Sequence, residues 1–267
     1  MLIRYHTLSS FERSIIEDHT TERSGSGEYD EYFESGVYLC RRCDAPLYLS
    51  QDKFSSHCGW PSFDDEILGA IDRKEDGSRT EIICARCHAH LGHLFTGEMM
   101  TMKNIRHCVN SASLQFVSAV TGSGLSHMVI AGGCFWGIEA EIQKLSCVKK
   151  TVVGYMGGFV VDPTYEEVSS GETGHVESVD VAYEEGALSK ILQSFFKIHD
   201  SSLLLPQEGK GSQYQSALFY YIDRQRKVAC DAISILQQHN RIVRTRVMPA
   251  SMFYPAESCH QNYYARH

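Results

Sequence analysis

Two short cysteine pairs constrain the fold of this chain more than any other feature. Cys40 and Cys43 form one C-x-x-C pair, and Cys84 and Cys87 form a second. Four thiolates make a closed tetrahedral zinc site, which is structural because no coordination position stays open. A redox dithiol is the alternative for each pair, but two pairs within one β-rich segment favour zinc. Their long separation indicates that they come from separate hairpins.

The chain falls into two halves with different patterns. The first half, residues 1–120, opens with a capping-box sequence and continues as short strand-like runs, which predicts a mainly β domain. The segment 121–127 is short and rich in small residues, mainly Gly and Ser, as is typical of a linker. Residues 128–267 alternate strands and amphipathic helices, which predicts an α/β or α+β domain. The predicted strands are 36–39, 47–49, 80–84, 93–95, 113–117, 128–131, 148–153, 176–183 and 242–247, and the main predicted helices are 188–199 and 223–238.

Composition excludes several classes of function. The net charge is −8 over 267 residues and no basic block stands out, so we expect no nucleic-acid partner. No apolar run reaches membrane-spanning length, and the N-terminal residues lack the apolar core of a signal peptide. Ten cysteines without an export signal indicate metal binding or thiol chemistry. We therefore expect a cytoplasmic protein with no membrane partner.

Cys134 follows an apolar run and two glycines, and precedes Phe135 and Trp136. This pattern predicts a tight strand-to-helix turn with the cysteine at a helix N-terminus. The helix dipole there favours a thiolate, and the aromatic rings suit a small, partly apolar electrophile. A buried, inert cysteine in an ordinary turn is the alternative.

Cys108 is a second candidate for thiol chemistry, because Arg106 precedes it and two histidines lie upstream. Cationic neighbours lower a thiol's pKa, and imidazoles can donate protons. His90 and His93 are three residues apart and would face opposite sides of a regular strand. One of them must therefore sit in a turn if both line one site. Surface or zinc-adjacent positions are the alternative for each histidine.

Five ordered motifs give the first half its resemblance to the B-type methionine sulfoxide reductases. They are Cys40-x-x-Cys43, Cys58-Gly-Trp60-Pro-Ser-Phe, Cys84-x-x-Cys87, His90-Leu-Gly-His93-Leu-Phe and Arg106-His-Cys108-Val-Asn110-Ser. The resemblance implies a zinc-containing fold of two antiparallel sheets. It further implies Cys108 as nucleophile, His90 and His93 as groups that polarise or protonate the sulfoxide oxygen, Trp60 against the substrate methyl, Arg106 and Asn110 as tuning residues, and Cys58 as the resolving cysteine.

The second half resembles the A-type reductases as closely. Its motifs are Gly133-Cys134-Phe135-Trp136-Gly137, Gly154-Tyr155, Pro163-Thr-Tyr165-Glu-Glu-Val, Gly174-His-Val-Glu177, Gln213-Tyr214 and Tyr254-Pro-Ala-Glu257 with His260-Gln261. The resemblance implies an α+β sandwich with Cys134 as nucleophile and Glu177 as acid. It also implies Tyr165 and Tyr214 as hydrogen-bond donors to the oxygen, with Phe135 and Trp136 against the methyl. An exposed strand glutamate is the alternative for Glu177.

The second half also departs from its family. Cys259 occupies a position that is commonly aromatic, and we interpret it as the resolving cysteine; a small buried thiol is the alternative. An expected aspartate is absent near Gly209, where Glu208 is a possible substitute, and Gln215 and Gln115 stand where arginine is frequent. Cys147 and Cys230 fit core or surface positions, with Cys147 a weaker resolving candidate.

Taken together, the chain resembles a natural fusion with the B type first. The resemblance implies reduction of the R epimer of methionine sulfoxide by the first half and of the S epimer by the second, in oxidised proteins. A thioredoxin-like dithiol protein would return the disulfides to thiols. We find no flavin or nicotinamide fingerprint. The alternatives are a zinc-containing redox sensor or adaptor without turnover, and an enzyme with one degenerate half.

Overall fold

The computed structural model describes residues 3–206, 209 and 211–267. Backbone contacts divide the chain into two compact units, one of Arg4–Ser118 and one containing Ala119–His267. No helix within the described residues combines the length and apolar character needed to cross a membrane.

The segment predicted as a linker is part of the second unit and has a definite structure. The N–H of Thr121 donates to the carbonyl of Leu125 at 2.8 Å, and the N–H of Gly124 donates back to Thr121 at 2.8 Å. The next strand begins at Ser126. Residues 121–125 thus form a hydrogen-bonded turn that leads directly into a strand.

The N-terminal unit begins with helix α1 (Ser10–Ile16) and the predicted capping box. The hydroxyl of Ser9 accepts the N–H of Glu12 at 3.2 Å, and the Glu12 carboxylate accepts the N–H of Ser9 at 2.8 Å. The strands described in this unit are β1 (Gly36–Cys40), β2 (Pro46–Leu49), β3 (Lys53–Phe54), β4 (Ser62–Phe63), β5 (Ile71–Asp76), β6 (Arg79–Cys84), β7 (His90–Thr96), β8 (Ile105–Val109) and β9 (Leu114–Ser118), with single-turn 3₁₀ helices at Ser50–Asp52 and Ser111–Ser113.

These strands form two antiparallel sheets, as predicted. One has the order β2-β1-β9 and the other β3-β4-β8-β7-β6-β5. Aromatic side chains form the centre of the core: the ring of Phe63 stacks on Tyr48 at 4.2 Å and meets Tyr38 edge-on at 5.0 Å. All three are fully buried.

The C-terminal unit combines one mixed sheet with helices, which confirms the α+β prediction. Its described strands and helices are β10 (Ser126–Ala131), α2 (Phe135–Ile142), β11 (Val148–Met156), α3 (Tyr165–Ser170), β12 (Val176–Tyr183), α4 (Leu188–Ile198), the 3₁₀ turn Ser212–Tyr214, β13 (Ala217–Tyr220), α5 (Asp223–Gln238), β14 (Arg246–Pro249), β15 (Tyr254–Pro255) and α6 (Tyr263–Arg266). The sheet order is β14-β13-β10-β12-β11-β15, antiparallel except for the β13–β14 pair.

The strand predicted at 242–247 is displaced in the structure. Ile242 is 63% exposed, and pairing with β13 starts only at Arg246. The apolar residues that suggested an earlier start therefore lie in the connection that precedes β14.

Candidate functional site

Cys134 lies at the strand-to-helix turn that the glycines predict. Gly133 has a φ of 102°, a left-handed conformation that glycine adopts without strain, and Cys134 is the N-cap residue of α2. Partial removal from water raises the pKa of the Cys134 thiol above its usual value, and the charge of Glu177 raises it further. The backbone N–H groups of Trp136 and Gly137 oppose this rise. The backbone at the helix N-terminus thus favours the thiolate, in the expected direction, but desolvation outweighs this contribution.

Glu177 places a buried carboxyl group near this thiol. It lies on β12 and is 3% exposed, so the alternative of an exposed strand glutamate is wrong. Burial raises the pKa of Glu177 to about 7, although its carboxylate accepts the N–H of Phe135 at 3.1 Å. The carboxyl group can therefore hold and release a proton near neutral pH.

The two tyrosines of the predicted site lie around the same carboxyl group. Burial, with the charges of Glu177, Tyr165 and Cys134, raises the pKa of Tyr214, which keeps its hydroxyl protonated as a donor. The N–H of Tyr165 donates to the Glu257 carboxylate at 2.9 Å. The fold thus brings together the four predicted groups of this site, Cys134, Glu177, Tyr165 and Tyr214.

The C-terminal residues complete an aromatic cluster that sequence reasoning described only in part. Trp136 stacks on Tyr263 at 3.9 Å between ring centroids, and the His260 ring lies 4.4 Å from Tyr165 and 5.5 Å from Phe135. Phe135 is 1% exposed, so its ring packs mainly in the core, whereas Trp136 is half-buried. The Tyr263 stack had no distinctive sequence signal.

Glu257 connects two tyrosines of this cluster. One carboxylate oxygen accepts the Tyr165 N–H, and the other accepts the Tyr155 hydroxyl at 2.9 Å. Tyr155 is directly opposite Glu177 in the β11–β12 pairing. The motif that contains Glu257 was recognised in the sequence, but its role in fixing Tyr165 follows from these contacts.

Of the remaining cysteines in this unit, Cys259 and Cys230 are exposed and Cys147 is buried. The alternative of a small buried thiol at Cys259 is therefore wrong. Cys259 directly precedes His260, whose ring lies among the aromatic residues next to Cys134.

The structure describes only some of the loop positions at which this sequence departs from the A-type pattern. Glu208, the possible substitute for the absent aspartate, lies outside the described residues. Gln215 is buried, and its side-chain amide donates to the carbonyl of Pro206. It therefore stabilises the loop by a neutral contact where an arginine would carry a charge.

In the N-terminal unit, a β-bulge places both histidines on one side of β7. Ile83 pairs with His90 and Ile82 with Gly92, so Leu91 is an additional residue in the register. A bulge shifts side-chain alternation by one position. The rings of His90 and His93 are therefore neighbours, 5.6 Å apart, and the expectation that one of them occupies a turn is wrong.

Cys108 lies on β8 directly opposite His93, and its sulfur is 3.9 Å from that of Cys58. The hydrogen bond between the thiols lowers the pKa of Cys58 to about 4 and, with burial, raises the pKa of Cys108. These are linked titrations of one pair that shares a proton. The pair therefore carries one thiolate at neutral pH.

Arg106 is held beside these sulfurs by three contacts. Its guanidinium forms a two-point ion pair with Glu98 at 2.7 and 2.9 Å, lies 4.4 Å from the ring of Phe95 and reaches Cys58 Sγ at 3.5 Å. The guanidinium thus contacts Cys58, and its charge and hydrogen bonding also oppose the rise in the pKa of Cys108.

Trp60 and Asn110 share a backbone support at Glu22. The Trp60 indole N–H donates to the Glu22 carbonyl at 3.2 Å, and the Glu22 N–H donates to the Asn110 side-chain oxygen at 3.1 Å. The Asn110 amide also donates to Leu91 O at 3.1 Å, at the bulge. Asn110 therefore positions the strands around the thiols through contacts that already occupy its amide.

A cavity of about 130 Å³ gathers most of the predicted residues of this site. Trp60, His93, Cys108 and Asn110 line it together with Arg79 and Phe95. Its size suits a small group such as a methyl sulfoxide.

The four cysteines of the two C-x-x-C pairs form one buried cluster. Their sulfurs lie within 4.8 Å of one another, with Cys40 to Cys87 at 3.5 Å and Cys43 to Cys84 at 3.7 Å. A tetrahedral metal with sulfurs at about 2.3 Å requires sulfur–sulfur distances of about 3.8 Å. The donor set and spacing therefore fit Zn²⁺.

The two cysteine loops also share one backbone pattern. The N–H of Cys40 donates to Ala45 O and that of Cys84 to Ala89 O, at 2.8 and 2.9 Å. In each loop, the residue after the second cysteine has positive φ, 56° at Asp44 and 58° at His88. Each hairpin thus presents its two sulfurs in the same way, as the spacing predicts.

Family models match both units. The model described as SelR domain matches residues 8–118, and the model described as peptide methionine sulfoxide reductase matches residues 126–267.

Individual relatives agree with this division. Peptide methionine sulfoxide reductase B5 of Arabidopsis thaliana is 48% identical over 119 residues, which cover 43% of this chain and 86% of the relative. Peptide methionine sulfoxide reductase MsrA of Nautilia profundicola is 43% identical over 141 residues, covering 52% and 82%. Among solved structures, Mxr1 of Saccharomyces cerevisiae in reduced form aligns with a TM-score of 0.51 at 28% identity, covering 55% of this chain and 88% of that one. The chain therefore belongs to the peptide methionine sulfoxide reductases, with a B-type domain followed by an A-type domain.

Proposed function

We propose that the N-terminal domain reduces the R epimer of methionine sulfoxide through Cys108, and that the C-terminal domain reduces the S epimer through Cys134. The observation that carries this proposal is that each unit holds its own cysteine with its own proton donor. A sensor or adaptor without turnover would not require either arrangement, and family membership does not favour it.

In the A-type site, Cys134 and Glu177 divide one proton between them. Transfer of the thiol proton to the buried carboxylate produces the reactive form, a thiolate beside a carboxylic acid. The thiolate attacks the sulfoxide sulfur while Glu177 returns the proton to the oxygen, with Tyr165 and Tyr214 as further donors. The S–O bond of the sulfoxide breaks and a new S–O bond forms at the Cys134 sulfur, so that methionine leaves reduced and Cys134 is oxidised to a sulfenic acid.

In the B-type site, the shared proton of the thiol pair allows Cys108 to become the thiolate. A shift of that proton to Cys58 leaves Cys108 opposite His93 as the nucleophile. His90 and His93 provide the proton for the sulfoxide oxygen, and Trp60 packs on the substrate methyl. The products are methionine and the Cys108 sulfenic acid.

A second thiol then removes each sulfenic acid. Cys58 is 3.9 Å from Cys108, so attack on the sulfenic sulfur forms the disulfide and releases water. In the A-type domain we assign this role to Cys259, which is exposed beside His260. A thioredoxin-like dithiol protein reduces both disulfides by exchange, a cycle that suits a reducing compartment such as the cytoplasm.

One Zn²⁺ at Cys40, Cys43, Cys84 and Cys87 would support the N-terminal fold. When bound, it would neutralise part of the negative charge of four thiolates and tie the two hairpins together. It supplies no group to the reaction.

Separate cysteine variants test the assignment of the epimers. We expect Cys108→Ser to abolish reduction of the R epimer only, and Cys134→Ser that of the S epimer only, in assays with a small dithiol reductant. Cys230→Ser, which removes an exposed cysteine on α5, serves as the control. Loss of both activities in one variant, or of neither, would contradict the proposal.

Peptide mapping tests the resolving cysteine of the A-type domain. After one equivalent of the S epimer, we expect a Cys134–Cys259 linkage in the wild-type protein and a persistent sulfenic acid in Cys259→Ser. A linkage of Cys134 to Cys147 or Cys230 would reassign the role.

A further inference from the structure

Two histidine side chains in the N-terminal unit share one carboxylate oxygen of Glu81. The Nδ1 atoms of His90 and His19 each lie 2.6 Å from Glu81 Oε1. The exposed fractions of these side chains are 2% for His90, 11% for Glu81 and 47% for His19. The row therefore runs from the protein interior to solvent.

The other nitrogen of His90 is buried and has no hydrogen-bond partner among the described residues. Leaving a buried polar atom without a partner costs free energy, so such an atom requires an explanation, such as a catalytic role or a bound water or ion. The neighbouring His93 ring lines the cavity that contains Cys108. His90 Nε2 is thus the buried nitrogen of this row without a partner among the described residues, and it belongs to the ring next to the one that lines the cavity.

We propose that Glu81 is a positioning residue that holds the proton of His90 on Nδ1. His19 weakens the effect of Glu81 on His90, because it shares the same carboxylate oxygen. This rests on the proposed function, in which His90 supplies a proton to the sulfoxide. With Nδ1–H bound to the carboxylate, Nε2 is the only His90 nitrogen that can pick up and release the transferable proton. The carboxylate also stabilises the imidazolium form that exists before transfer.

The charges around His90 act in opposite directions. Burial lowers its pKa, the hydrogen bond and charge of Glu81 raise it, and the charges of His19 and His93 lower it. Hydrogen bonds from both histidines hold the pKa of Glu81 below its usual value despite burial, so its carboxylate stays ionised at neutral pH. Removal of Glu81 should therefore lower the pKa of His90, whereas removal of His19 should raise it.

The alternative is that the hydrogen bonds among His19, Glu81 and His90 are purely structural. They would then only connect the segment after α1 to β6 and β7. A structural tie would change stability without affecting the tautomer of His90 or the pH dependence of the reaction. The two interpretations therefore differ in measurable quantities.

The first test is nuclear magnetic resonance of the reduced, substrate-free protein with ¹⁵N-labelled histidine. We expect the Nδ1–H tautomer of His90 in wild type and in His19→Gln, and a mixture or the opposite tautomer in Glu81→Gln. An unchanged tautomer in Glu81→Gln would overturn the proposal, whatever the activity.

The second test is the single-turnover rate with the R epimer as a function of pH. Glu81→Gln should lower the rate on the order of 10- to 100-fold, less than loss of the acid itself. The alkaline limb should move to lower pH in Glu81→Gln and to higher pH in His19→Gln, while reduction of the S epimer stays unchanged and reports the concentration of active enzyme.

If the variants lose rate but the alkaline limb of the pH–rate profile moves in neither of them, the hydrogen bonds are purely structural and the proposal is contradicted. His90→Gln separates this failure from that of the proposed function. If its rate equals that of wild type while Glu81→Gln still changes the tautomer, the positioning role stands and the assignment of His90 as proton donor fails.

Discussion

In the proposed mechanism, Glu177 is the residue whose protonation most directly limits the A-type site. The acid must be protonated when Cys134 is ionised, yet the pKa of Cys134 is raised and an isolated glutamate would be ionised at neutral pH. Burial resolves this conflict by raising the pKa of Glu177 to about 7, which allows the carboxylate to accept the thiol proton. The two groups therefore function as a pair.

We predict that Glu177→Gln lowers turnover of the S epimer by on the order of 10²- to 10⁴-fold. The amide has nearly the same shape but cannot accept the thiol proton or return it to the oxygen. In wild type, the S-epimer rate should rise with pH through about 7, because Glu177 must lose its own proton there before it can accept that of Cys134, and this limb should be absent in the variant. Steady-state rates for both epimers across pH measure the effect.

Glu166→Gln is the matched control, since Glu166 is an exposed carboxylate next to Tyr165 on α3. It should keep the wild-type rate and pH profile. A Glu177→Gln enzyme that retains the wild-type limb would show that another group supplies the proton.

The sequence predicted these residues more reliably than it predicted their electrostatics. The motif around Cys134 placed it correctly at a helix N-terminus, but its raised pKa depends on desolvation by side chains distant in sequence. The same holds for Arg106, whose guanidinium contacts Cys58 because Glu98 and Phe95 fix its direction. Local pattern specifies residue types, whereas tertiary contacts set their pKa values.

Strand β7 shows how one backbone irregularity builds the B-type site. The bulge at Leu91 puts His90 and His93 on one side, and Gly92 next to it has a φ of 154°. A Cβ atom at Gly92 would lie 2.0 Å from the carbonyl oxygen of Cys108. Only glycine therefore permits β8 to approach β7 this closely.

We predict that Gly92→Ala lowers R-epimer turnover at least 10-fold, because the methyl group must push Cys108 away from His93 and a displacement of about 1 Å costs on the order of 10²-fold. S-epimer turnover should not change. Gly97→Ala is the control: it also has positive φ, 85°, but a Cβ there would meet nothing within 4 Å. Equal rates for both variants would show that the close approach does not matter.

At the level of elements, regular patterns were predictable and short edges were not. Apolar periodicity defines the longer elements, so their observed ranges are close to the predicted ones. These elements are helices α4 and α5 and strands β10 and β12. Strands β3 and β4 have two residues each, and β5 is a largely charged edge strand, so none carries an apolar repeat. The bulge was unpredictable because it depends on pairing with β6.

For the whole molecule, the cysteine cluster implies that the two domains differ in what stabilises them. The N-terminal unit has its own core, in which all four cluster cysteines are packed, whereas the described part of the C-terminal unit contains no comparable group of cysteines. Structural zinc contributes on the order of 10 kcal/mol, comparable with the total stability of a domain. Metal loss should therefore unfold one domain selectively.

We predict that a strong chelator, or Cys40→Ser, abolishes R-epimer turnover and leaves S-epimer turnover within about twofold of wild type. The physical reason is that without metal the four buried thiols must either remain charged without compensation or be protonated, and both leave the two hairpins without their link. Thermal unfolding should separate into two transitions, with only the lower one responding to chelator and restored by added Zn²⁺. Cys230→Ser should behave as wild type. If metal-free protein, verified by elemental analysis, kept its R-epimer rate, the cluster would not be a structural metal site, and the buried sulfurs would have to be explained as packed thiols.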